Sequence, residues 1–196
     1  MIFELNDPLF LPHLGCNLKL ELAQGEILVL VGDNGIGKST LLHRFHDSLN
    51  SAMSAMSEQK SLECFFDRKL STFRELFISS KPPGLDLDFF HSFWSDFGLN
   101  SKLERKMSHL SGGELQALKL GLTLSKNCDY YFLDEPTQFL DSEKRAILLK
   151  KIQSLVSFHR SILITEHNKD WIPSGWKVVE LIIENSFLVK GKEWTT

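Results

Sequence analysis

The run Gly32-Asp33-Asn34-Gly35-Ile36-Gly37-Lys38-Ser39-Thr40 constrains this chain more than any other stretch. It follows the apolar segment Glu26-Ile27-Leu28-Val29-Leu30-Val31 and precedes Leu41-Leu42. That order reads as strand, glycine-rich loop, helix, the context a phosphate-binding loop requires. Glycine lets the backbone curl so that successive N–H groups point inward at phosphate oxygens. The helix N-terminus adds a partial positive charge at the same spot. Lys38 has the reach for the β- and γ-phosphates of a bound nucleotide, and Ser39 offers a hydroxyl to Mg²⁺. Asn34, Gly35, Gly37 and Thr40 complete the cradle.

A second signal is Tyr130-Tyr131-Phe132-Leu133-Asp134-Glu135-Pro136, an apolar strand running into two carboxylates. Ligands of a parallel sheet bind at the carboxyl ends of its strands. Asp134 is therefore a candidate ligand for Mg²⁺, directly or through water, and Glu135 a candidate to polarise the water that attacks a γ-phosphate. A third signal is Leu110-Ser111-Gly112-Gly113-Glu114, followed by Gln116. Ser-Gly-Gly at a helix start forms another nest of N–H groups. A chain that already holds one phosphate cradle uses the second on its own nucleotide or on one held by a neighbouring copy.

Around these motifs the chain alternates strand and helix. Leu18-Lys19-Leu20-Glu21-Leu22 alternates like a half-exposed strand. Helix is predicted over 39–49, 112–124 and 142–156, with Ser142 as the cap of the last. Buried strands are predicted over 130–133 and 161–164, a short strand over 62–66, and a hairpin from 178–183 and 187–189. The polar stretch 51–61 reads as a loop or frayed helix end. The pattern predicts an α/β fold: a mostly parallel sheet with helices on both faces, plus an N-terminal antiparallel β layer. Between 67 and 109 strand signals vanish and phenylalanine becomes frequent, which predicts a helical subdomain inserted into one domain spanning 1–196. Phe90, Phe93, Trp94 and Phe97 fall on one helical face and are expected to be its core.

A length of 196 residues with 42% apolar content supports a hydrophobic core without disulfides. Cys16, Cys64 and Cys128 lack metal-ligand spacing and read as reduced thiols of a cytoplasmic chain. The net charge of −3 argues against a nucleic-acid partner, and the basic residues of 102–106 read as a solvated face. No apolar run approaches the roughly 20 residues that span a bilayer, and no secretory signal opens the chain, so contact with a membrane is expected only through a partner.

With these motifs in this order, the chain resembles the ATP-binding cassette (ABC) ATPases over nearly its whole length. Residues 32–40 resemble the Walker A motif, 110–114 the signature and 130–135 the Walker B motif. Asp141 in Gln138-Phe139-Leu140-Asp141 is similar to the D-loop aspartate, and His167 in Thr165-Glu166-His167-Asn168 to the switch histidine that touches the γ-phosphate. Phe10 resembles the aromatic residue that stacks on adenine. The resemblance implies ATP and Mg²⁺ as cofactors. It also implies a head-to-tail homodimer in which Ser111, Gly112 and Gly113 of one copy close over ATP held by Lys38 of the other. The expected activity is ATP hydrolysis that powers transport through a separate membrane subunit, at the inner face of the membrane. The alternatives are a soluble cassette acting on ribosomes or DNA, and a scaffold that binds ATP without hydrolysing it.

The chain departs from the family pattern in places. Asp67 in Cys64-Phe65-Phe66-Asp67-Arg68 stands where a metal-binding glutamine is usual, and Gln59 lies earlier. Glu166 replaces a small hydroxyl residue before the histidine, the D-loop carries Gln-Phe in place of Ser-Ala, and the helical subdomain is short.

Overall fold

The computed structural model describes residues 1–11, 14–49, 53–56 and 60–196, so Gln59 and His13 lie outside the described residues. Its strands are β1 (Ile2–Leu11), β2 (Leu14–Glu21), β3 (Ile27–Val31), β4 (Ser54–Met56), β5 (Tyr130–Asp134), β6 (Ser161–Glu166), β7 (Lys177–Glu184) and β8 (Phe187–Thr195). Its helices are α1 (Lys38–Asp47), α2 (Leu70–Ser79), α3 (Leu87–Asp96), α4 (Gly112–Leu124) and α5 (Ser142–Ser157). The strands form one curled sheet in the order β1-β2-β8-β7-β3-β6-β5-β4. From β7 to β4 the pairings through β3, β6 and β5 are all parallel, while β1–β2 and β7–β8 are antiparallel hairpins. The expected antiparallel layer is thus continuous with the central parallel strands, joined through the parallel β2–β8 pair.

Alternation along the central strands builds two cores. Leu28, Leu30, Phe132 and Leu163 point to one face, where Leu41, Leu42 and Phe45 of α1 meet Phe3, Leu18 and Leu20 of the first hairpin. Ile27, Val29, Val31, Leu133, Ile162 and Ile164 point to the other, against α4 and α5. Burial on both faces explains why these strands are almost continuously apolar. The aromatic stripe of α3 joins this second core: Phe90, Phe93 and Trp94 are fully buried and Phe97 nearly so. Phe93 and Phe97 stack at 4.2 Å between ring centroids.

Three local expectations are corrected. Residues 62–66 form no strand; Lys60–Phe65 is a 3₁₀ turn, whose three-residue period suits the spacing of Leu62 and Phe65. Phe65 packs edge-on against Phe73 of α2. The edge strand lies earlier, at β4, where buried Ser54, Ala55 and Met56 pair with β5 inside the stretch read as a loop. Asp141, not Ser142, caps α5, accepting a hydrogen bond from the Lys144 amide at 2.8 Å.

Phe93→Ala is expected to lower stability by about 3–5 kcal/mol, because it empties a stacked core position. Leu9→Ala, at a residue 81% exposed, should shift it by less than about 0.5 kcal/mol. Urea denaturation of both variants checks the contrast.

Candidate active site

Register brings the motif residues together. β3 and β6 pair Val31 with Glu166, and β5 and β6 pair Asp134 with Thr165. The three strands therefore end level, and the loops that follow share one edge of the sheet. Above that edge lies a cleft of about 230 Å³ lined by Asn34, Gly35, Gly37, Lys38, Ser39 and Thr40 together with Leu11 and Glu135.

The loop starts α1 without a side-chain cap. Gly37 takes a φ of 101° at that position, and a Cβ there would come within 2.8 Å of the Phe10 ring. Left-handed geometry and close approach both require glycine. The Lys38 side chain is buried and donates to the Gly32 and Asp33 carbonyls at 2.8 and 3.0 Å. The ammonium is thus held inside the loop by its own backbone.

Glu135 follows β5 in a left-handed conformation, φ 42°. Its amide donates to the Thr165 carbonyl at 3.0 Å, which carries the sheet pairing one residue past the strand. Its carboxylate stands 3.9 Å from Nδ1 of His167. The two residues expected to carry proton transfer and γ-phosphate contact are neighbours, of which Glu135 lines the cleft and His167 stands beside it. Asp134 accepts a hydrogen bond from the Thr165 hydroxyl. Ser39 is exposed in the first turn of α1. A hydroxyl and a carboxylate fit Mg²⁺, which keeps few protein ligands and fills its octahedron with water and phosphate oxygens. Among the described residues no group of three or more His, Cys, Asp or Glu side chains forms an all-protein cage.

Ser111, Gly112 and Gly113 form the N-terminus of α4, with Ser111 as cap. The Ser111 amide donates to the Glu114 carboxylate at 2.8 Å, and the Glu114 amide returns a bond to the Ser111 hydroxyl at 3.3 Å. Lys102 and Arg105 reach Glu114 at 3.4 and 4.0 Å, so part of the basic stretch read as a solvated face braces this cap. Burial opposes ionisation of Glu114, but the bonds from Ser111 and the Lys102 charge outweigh it and hold the carboxyl below its ordinary range. A Cβ on Gly113 would lie 2.6 Å from the Phe139 carbonyl oxygen. Phe139 itself is 69% exposed with φ 63°.

Two expected ligands sit elsewhere. Phe10 is only 4% exposed and packs in the core beneath Gly37, and its neighbour Leu11 lines the cleft. Adenine stacking on Phe10 would require the ring to leave that core. Asp67 is exposed on the turn after the 3₁₀ segment and does not line the cleft. Asp141 serves as the exposed cap of α5, and the Lys144 amide holds its carboxyl below the ordinary range.

Other polar partners went unread in the sequence. Gln116 of α4 donates to the Glu135 and Pro136 carbonyls at 3.2 and 3.3 Å. Glu166 is buried and accepts two bonds from Thr137, from the hydroxyl at 2.8 Å and the amide at 3.2 Å. Burial pushes the Glu166 carboxyl up from its ordinary value. The spacing of Gln116 after the signature and the odd position of Glu166 were the available signals; their partners depend on tertiary packing.

Comparison with known proteins bears on the family and the fold. A family model described as "ABC transporter" matches residues 16–138. The chain is 35% identical over 159 residues to ABC transporter E family member 3 of Arabidopsis thaliana, covering 71% of this chain and 86% of that protein. It is 31% identical over 173 residues to translation initiation factor RLI1 of Saccharomyces cerevisiae, covering 83% of this chain but only 28% of that protein. A bacterial ABC transporter cassette solved as a dimer superposes with a TM-score of 0.75 at 16% identity, covering 100% of this chain and 98% of that one. The chain belongs to the ABC transporter family of ATP-binding cassette ATPases.

Proposed function

We propose that this cassette hydrolyses ATP as a head-to-tail pair and powers a separate membrane protein. The observation that carries the reading is the Glu135–His167 pair at the mouth of the Lys38 loop. On binding triphosphate, Lys38 exchanges two loop carbonyls for phosphate oxygens. Glu135 orients the attacking water and takes its proton, and His167, beside it, meets the γ-phosphate. Ser39 and Asp134 would hold Mg²⁺, whose charge offsets that building on the transferred phosphoryl group. The α4 nest of one copy supplies N–H groups to the γ-phosphate held by the other.

Support for a membrane partner comes from a groove of about 680 Å³ between α1, β4, α2 and α4. Phe65, Phe73, Leu76 and Phe77 form an apolar wall, with Lys119 and Lys126 opposite. An apolar trough with a basic edge suits an amphipathic helix of another protein. Among the described residues no helix is long and apolar enough to cross a membrane.

A second reading, action on ribosomes, is favoured by the likeness to RLI1, a translation initiation factor. The chain spans about a quarter of that protein's length, so its activity does not transfer as a whole.

Glu135→Gln with ATP is expected to give a stable dimer by light scattering, with phosphate release reduced about 100-fold or more. Lys38→Ala should stay monomeric. Wild-type chain is expected to retain a hydrophobic protein from detergent-solubilised membranes. Leu76→Glu, in the groove wall, should lose that partner and keep its ATPase rate. Co-sedimentation with ribosomes in place of a membrane protein would favour the second reading.

A further inference from the structure

Glu166 is a buried carboxylate beside the site that the proposed chemistry does not use. It ends β6, opposite Val31 of β3, and is 1% exposed. Its Oε1 accepts both the Thr137 amide and the Thr137 hydroxyl. Thr137 belongs to the turn that leaves β5, in which the Gln138 amide donates to the Glu135 carbonyl and the Leu140 amide to the Thr137 carbonyl, at 3.0 and 3.1 Å. From the opposite side Gln116 holds the Glu135 and Pro136 carbonyls. The turn is therefore pinned at one side by α4 and at the other by the end of β6.

The placement of the Glu166–Thr137 contact sets it apart from an ordinary buried bond. One end is the residue before His167, and the other lies two residues after Glu135. These two flanking residues are the ones whose side chains approach to 3.9 Å. Glu135 holds a left-handed backbone conformation, which persists only where surrounding contacts over-determine it. Breaking the Thr137 bonds would leave a buried carboxylate short of donors and remove the direct side-chain link between the two segments.

We infer that Glu166 is a positioning residue, which through Thr137 fixes the Glu135 turn and the His167 strand end in a single geometry for attack on the γ-phosphate. The inference rests on the hydrolytic reading above. The role assigned is that of the hydrogen-bond acceptor, because a single oxygen takes both bonds and a glutamine oxygen can take them too. Small misplacements of a reacting group cost up to about 100-fold in rate, so the effect falls on turnover.

The test uses Thr137→Val, Thr137→Ser, Glu166→Ala and Glu166→Gln in the full chain. It compares single-turnover phosphate release with affinity for a fluorescent ATP analogue, and thermal unfolding verifies folding. Thr137→Val and Glu166→Ala should lower the rate by roughly tenfold or more, with nucleotide affinity unchanged. Thr137→Ser and Glu166→Gln should restore it, and the Thr137→Val/Glu166→Ala double variant should be no slower than the slower single variant. If Glu166→Ala fails to fold, Thr137→Val, which keeps the side-chain shape, decides. A wild-type rate in Thr137→Val, rate and affinity falling together, or a Gln variant as slow as the Ala variant would each overturn the inference. A wild-type chain that binds ATP and releases no phosphate would instead remove the hydrolytic reading, and the inference with it.

Discussion

Parallel pairing of β3, β5 and β6 in a common register is the constraint on which the site depends. Because Val31 lies opposite Glu166 and Asp134 opposite Thr165, three loops leave the sheet at one level. The phosphate loop, the carboxylate pair and His167 meet there without any long-range device. That register is enforced by the core. A slip of one residue would turn Leu28 and Leu30 away from α1 and expose them to the partners of Ile27 and Val29. The forces that exclude water from the interior therefore also set the spacing of the groups proposed to handle phosphate.

At that edge the apolar layers give way to polar side chains that satisfy one another. Thr165 bonds Asp134, Thr137 bonds Glu166, and Gln116 bonds the backbone of Glu135 and Pro136. Buried polar groups left unpaired are expensive, whereas a fully paired set is rigid. The rigidity has a local use, because it holds Glu135 in a backbone conformation that such a residue seldom adopts. The α4 cap is stiffened in the same manner by Ser111, Glu114 and Lys102.

Motifs whose geometry is local were legible in the sequence. Helix α4 spans the predicted 112–124, because Ser111 and Glu114 form a capping box and the thirteen residues that follow hold no proline. Strand β5, strand β7 and the start of β8 were legible as apolar runs bounded by turn residues. But β8 continues past the predicted 187–189 to Thr195 through the mostly polar stretch 190–195, held there by pairing with β7. Features decided by distant partners were not. Ser54, Ala55 and Met56 carry no strand signature of their own; pairing with β5 makes them β4. The run at 62–66 has strand-like composition but presents Leu62 and Phe65 three residues apart, which suits a tight helical turn against α2. Asp141 and Ser142 are equivalent caps by residue type, and only the bond to the Lys144 amide separates them. Phe10 and Leu11 are adjacent on a strand, so one must face the core and the other the cleft. Their assignment depends on the fit of the Phe10 ring under Gly37.

The order of strands has a consequence for biosynthesis. Neighbours β1 and β2 are adjacent in sequence, whereas among the described residues β2 pairs with the rest of the sheet through Gly15, Cys16 and Asn17 against Phe187, Leu188 and Val189 of β8. More than 150 residues separate those partners in translation, a large loop-closure delay. During that interval the first hairpin exposes the apolar face bearing Phe3, Leu18 and Leu20, which α1 can shield before the last strand is made. Pairing of β2 with β8 is thus a late event in synthesis, and α1 is the element available to cover the apolar face of the first hairpin before it.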